Sequence, residues 1–133
     1  MRHRLLLPAT ALLVGAALAG CGDDQPAVCT SIDELQNSIK GLADLELTGT
    51  TNVAGLEDQI ALVKQDFNEL KDDASDEYGD QVGAISADLE TLETNAAAVE
   101  DSPSATTVDA LKTSRDAVVA GVDALADDVK STC

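Results

Sequence analysis

Apolar positions recur along this chain at steps of three and four, and each run of them is bounded by polar residues that favour turns. Behind Ser31 and Glu34, spaced as a capping box, Ile32, Leu35, Ile39 and Leu42 line one face of a first predicted helix. The stretch LTGTTN, 47–52, supplies turn residues. Val53, Leu56, Ile60, Val63, Phe67, Leu70 and Ala74 then follow in strict three-four order, which is the seam of a coiled coil. The next apolar positions are Tyr78 and Val82, two successive steps of four, after which Ile85, Leu89, Leu92, Ala96 and Val99 restore the order.

A continuous helix over 53–99 absorbs such a stutter by local unwinding. The rival reading is a turn, because Gly79 lies in the polar stretch DDASDEYGDQ and can end one helix before the next. A second boundary stands at SPSATT, 102–107, with Pro103 and several capping residues. Beyond it Val108, Leu111, Val118, Val122, Leu125 and Val129 mark the last helix. Arg115 occupies a seam position there, where its stem is expected to pack and its head to reach water.

No segment alternates apolar and polar residues as a half-buried strand does, so the fold class is all-α. The architecture expected is an antiparallel helical bundle or coiled coil of three helices with a long central one over 53–99; the alternative is a four-helix up-down bundle turning near Gly79. The preserved apolar phase through Tyr78 favours the elongated form. Small or apolar residues flanking the seam, among them Ala61, Leu62, Val119 and Ala126, favour the thicker bundle.

The N-terminal pattern is of another kind. Arg2 and Arg4 precede an apolar run from Leu5 to about Ala19 that ends in small residues, the layout of an export signal over 1–20. The run is shorter than the roughly 20 residues that cross a bilayer comfortably, and Pro8 and Gly15 interrupt it. Two cleavage sites compete: Ala17, Leu18 and Ala19 form an A-x-A site, whereas Leu18, Ala19, Gly20 and Cys21 resemble the lipobox of bacterial lipoproteins. In that family the cysteine thiol receives a diacylglyceryl group and the signal is cut off just before it, which implies lipidation at Cys21. Two acyl chains anchor a protein stably where one is marginal.

Lipidation of Cys21 would leave Cys29 and Cys133, and an exported chain usually pairs its thiols. One stands just before the first predicted helix and the other ends the sequence, so a disulfide clasp between them is expected to close a helical domain over 29–133. Residues 21–28, CGDDQPAV, read as an extended acidic tether. The combination is similar to the small helical lipoproteins of high-GC Gram-positive bacteria, a likeness that implies a lipid-anchored place on the extracytoplasmic face of the cell membrane and no particular activity.

Composition then narrows the function classes. Loss of 1–20 removes Arg2 and Arg4 and leaves 6 basic residues against 25 acidic ones. Such a surface repels nucleic acid and anionic headgroups alike, so no DNA or RNA partner is expected. The single histidine, His3, falls in the signal, so catalysis or metal ligation by imidazole is not open to the remainder. With no Trp, one Tyr and one Phe, the chain shows no sign of a carbohydrate cleft for paired carboxylates. DDASDEYGD, 72–80, fails the EF-hand pattern: with Asp72 as the first ligand, Ala74 holds the third position and Glu77 the place of the turn glycine. No catalytic residue, metal ligand or cofactor is expected. The function implied is a non-enzymatic interaction or spacer role, membrane-attached through the lipid on Cys21 and with an envelope protein as candidate partner; the alternative is an acidic ligand- or cation-binding module of the envelope.

Overall fold

A computed structural model of the chain describes residues 26–47, 53–74 and 76–133. The expected signal segment, Cys21 and most of the tether lie outside them. The described residues form four helices, α1 (Ala27–Ala43), α2 (Val53–Ala74), α3 (Gly79–Asp101) and α4 (Ala105–Lys130), and no strand. Each helix packs on its neighbour in the chain and α1 closes against α4, so the four stand in a square ring with α1 opposite α3 and α2 opposite α4.

The polar contacts between helices show the direction and register of packing. Ser31 Oγ donates to Asp73 Oδ2 at 2.6 Å, and seven residues further along α1 Ser38 donates to Asp66, seven residues back along α2. On the other hairpin Gln81 donates to Asp128. Fourteen residues on, Asn95 Nδ2 donates to Ser114 Oγ at 3.1 Å, fourteen residues back on α4. Neighbours therefore run antiparallel, and the register advances in whole heptads, as in coiled-coil-like bundles.

The seam residues form the core. Ile32, Leu35, Leu42, Leu56, Val63, Leu70, Leu92, Val99, Val118, Val122 and Leu125 are 0% exposed, and each such side chain contributes about 1.5–3 kcal/mol relative to an exposed one. Glycine gives room where the hairpins meet. A methyl group at Gly121 would lie 3.1 Å from Ile85 Cγ1, a tight contact between α3 and α4, whereas one at Gly41 would displace only the flexible end of Gln59, whose Oε1 lies 2.5 Å away.

Two expectations are corrected. The long central helix over 53–99 is absent: the chain leaves the helix after Ala74, and α3 begins at Gly79. Lys64 Nζ reaches Glu93 Oε1 at 2.7 Å, which requires α3 to fold back along α2. Tyr78 carries the non-helical φ of −113° and ψ of 22° that make the reversal, and its ring packs against the core. The four-helix alternative thus describes the bundle.

The second correction concerns the capping box at Ser31. Helix α1 starts one turn earlier, with Pro26 as its N-cap and no side-chain cap. Pro26 has the extended ψ of 145° of a residue just outside a helix, and its carbonyl accepts from Cys29 N at 2.9 Å as the chain turns into α1. Ser31 is instead buried mid-helix and spends its hydroxyl on Asp73, and the helix takes in 27–28 from the expected tether. At SPSATT the capping residues do serve: Ser104 Oγ accepts from Thr107 N at 3.1 Å, and Thr107 Oγ1 accepts from Ser104 N at 2.9 Å. Arg115 stands half-buried at its seam position: Nη1 donates to the carbonyl of Leu45 at 3.0 Å, while Nε and Nη2 turn to the exposed carboxylate of Asp116 at 3.1 Å. The stem packs and part of the head faces the surface, as the sequence leads one to expect, with the Leu45 carbonyl as an added partner.

Candidate functional site

An even number of antiparallel helices brings the start of α1 and the end of α4 to one end of the bundle, together with the α2–α3 turn. There Cys29 and Cys133 are joined in a disulfide with their Cα atoms 6.1 Å apart. Cys29 sits in the first turn of α1, where its N–H donates to Pro26 O at 2.9 Å, and is 4% exposed. The end of α4 is tied across as well: Lys130 Nζ donates to Gln36 Oε1 and pairs with Asp33 Oδ1 at 3.2 Å. Tyr78 OH lies 3.5 Å from Thr132 Oγ1. Whatever precedes Pro26 therefore joins the bundle at this closed end.

The closed end is also strongly acidic. A surface cavity of about 590 Å³ is walled by the α2–α3 turn and the last turn of α4, and Asp76, Glu77, Asp80 and Asp128 contribute its carboxylates. Among the described residues no group of three or more His, Cys, Asp or Glu side chains is arranged to hold a metal ion. The acids of DDASDEYGD are exposed along the last turn of α2 and the turn after it, with the Asp73 carboxylate taken by Ser31, an arrangement that attracts a diffuse layer of counter-ions.

A second feature is legible only in three dimensions. The α2–α3 face is open along its length, in three adjoining cavities of about 620, 160 and 400 Å³ that share walls at Lys64, Asn68 and Glu93 and then at Lys71, Ser86 and Glu90. The cause is side-chain size. Beside the seam stand Ala61 on α2 and Gly83, Ala87 and Ala97 on α3, too small to fill the space between the helices. An added methyl at Gly83 would meet nothing within 4 Å, in contrast to Gly41 and Gly121. Lys64 and Glu93 bridge this groove with side chains 46% and 41% exposed. The signal that points to it is the spacing of Gly83, Ala87 and Ala97 beside the apolar seam of α3, with Ala61 in the matching place on α2.

Of the residues singled out in the sequence, the structure thus unites Cys29 with Cys133, exposes the 72–80 acids at the same end, and sets Arg115 half-buried beside Leu45 toward the other end. Cys21 falls outside the described residues. No helix among them is long and apolar enough to cross a membrane. Compared with known proteins, the chain matches no family model, no curated protein and no solved structure.

Proposed function

We propose that this chain is a lipoprotein of the cell envelope, an exported helical bundle held at the outer face of the cytoplasmic membrane by a diacylglyceryl group on Cys21 and acting without catalysis as an interaction or spacer module. The observation that carries this reading is the junction LAGCGDD, 18–24, where a thiol stands between an apolar, basic-headed leader and an acidic chain. From Cys21 to Pro26 an extended chain covers about 17 Å. It enters the bundle at the closed end, so in this reading that end lies near the bilayer. Helix α4, with 26 residues, carries the opposite end about 39 Å further out. The acidic closed end is repelled by anionic headgroups, which holds the bundle off the lipid surface at the limit of its tether.

The test is the Cys21→Ala variant in producing cells, followed by fractionation and metabolic labelling with a tagged fatty acid. The expected result is a labelled, membrane-bound native chain and a variant that is unlabelled and either released or left as precursor. A signal-cleaved variant that stays on the membrane without label would overturn the reading.

A further inference from the structure

The geometry points to the open α2–α3 face as a dimer interface, its occupant a second copy of this chain packed side by side with the two bundles parallel. The inference uses the groove alone and stands whether or not Cys21 is acylated. Size is the first support. With 22 and 23 residues, α2 and α3 offer a face about 33 Å long and roughly 20 Å wide for two helices of ordinary diameter. Pairing two such faces removes on the order of 1,300 Å² from water, above the roughly 1,000 Å² that separates a stable interface from a chance contact. Small side chains at Ala61, Gly83, Ala87 and Ala97 let the backbones approach, so α2 and α3 of both copies would form a further four-helix layer around an alanine-lined seam.

Charge selects the occupant and the orientation. The chain as a whole carries 25 acidic residues against 8 basic ones, and most of its surface repels another copy. The groove is mixed in sign, since Lys64 and Lys71, two of the chain's five lysines, line it together with Glu57, Glu90 and Glu93. A helix of one charge sign would satisfy either the lysines or the glutamates, whereas a second copy brings both signs and can set each lysine against a glutamate.

Lys64 and Glu93 stand at one level, as their 2.7 Å contact shows. A two-fold axis along the bundles places α2 of each copy over α3 of the other, so each Lys64 faces Glu93 of the second copy and the four charges alternate in sign. An axis across the bundles would lay α2 on α2 and bring the two Lys64 side chains together. Isologous pairing therefore favours the parallel arrangement, in which both closed ends lie on the same side.

The experiment is sedimentation equilibrium on the full chain in a mild non-ionic detergent, with Lys64→Glu, Glu93→Lys and Ala97→Glu variants, all checked for native helicity by circular dichroism. The native chain is expected to sediment as a dimer at high micromolar concentration. Each variant is expected to dissociate at least about tenfold more readily, because like charges or a buried carboxylate then meet across the interface. An equimolar mixture of Lys64→Glu and Glu93→Lys chains restores the dimer, since both cross-pairs become opposite in sign only between unlike copies; the internal pair stays like-charged in each chain, so repair of the monomer does not explain recovery. A monomeric native chain overturns the proposal. So does a dimer indifferent to all three substitutions, as association through residues 1–25 would be, or a mixture that fails to recover.

Discussion

Removing the Cys29–Cys133 bridge by the double change Cys29→Ala and Cys133→Ala tests how the bundle is held. The two residues are 104 apart in sequence, and the loop they close contains all four helices. On the chain-entropy account, opening a loop of this length returns freedom to the unfolded chain equivalent to about 4.7 kcal/mol. That is a large share of the roughly 5–15 kcal/mol that holds a small domain together. For the hundred or so residues of the bundle it corresponds to a fall of roughly 20 °C in melting temperature. The loss falls on the unfolded state, so urea unfolding followed by circular dichroism should show a steeper dependence on denaturant as well, because an uncrosslinked unfolded chain exposes more surface. A local effect accompanies the global one. Helix α1 has no side-chain cap, and its first turn, freed from Cys133, should lose hydrogen-exchange protection ahead of Ile32 and Leu35. A loss below about 1 kcal/mol with an unchanged denaturant slope would refute the argument, since it would mean that the unfolded chain is already compact with its ends close together.

Three further predictions concern packing and charge. Gly83→Ala, with open space around the new methyl, should stabilise the monomer by about 0.5–1 kcal/mol, whereas Gly121→Ala, placed 3.1 Å from Ile85, should destabilise it by about 1–3 kcal/mol; urea titration at matched protein concentration reads both. Arg115→Ala removes the donor to the Leu45 carbonyl and should lower stability by about 0.5–1.5 kcal/mol, with hydrogen exchange quickening across 44–47. At a net charge of −17, helix faces repel one another, so raising sodium chloride from about 0.01 to 1 M, which shortens the screening length from roughly 30 to 3 Å, should raise the melting temperature. A melting curve indifferent to salt would rule out self-repulsion as a destabilising term.

How legible each part was depends on the range of the forces that set it. The capping of α4 at Ser104 rests on contacts within three residues, and SPSATT announces it. The start of α1 was misread for the same local reason: Ser31 and Glu34 have the spacing of a capping box, but Asp73 of another helix competes for the serine hydroxyl and Pro26 begins the helix a turn earlier. The groove lay between these cases. Ala61, Gly83, Ala87 and Ala97 are visible in the sequence, but that Ala61 and Ala97 line one cavity, and that Gly83 and Ala87 extend the opening along α3, follows only from the antiparallel register of α2 and α3.

By itself the sequence determined the helical class and the core, because apolar spacing is a local property: the residues at three-four steps from Ile32 to Val129 share a face whatever the helices then do, and that face is the one buried. It could not decide where the chain reverses. Ala74, Tyr78 and Val82 keep the apolar phase whether the helix continues or folds back, since phase records only which side meets the core, and in the hairpin Tyr78 still packs against it. Tertiary structure decided the reversal, because two helices stacked side by side bury their seams against α1 and α4 on a common core, which a single rod over 53–99 does only by leaving its partners end to end. From that one choice follow the even helix count, the place of the Cys29–Cys133 bridge beside the α2–α3 turn and the open face between α2 and α3.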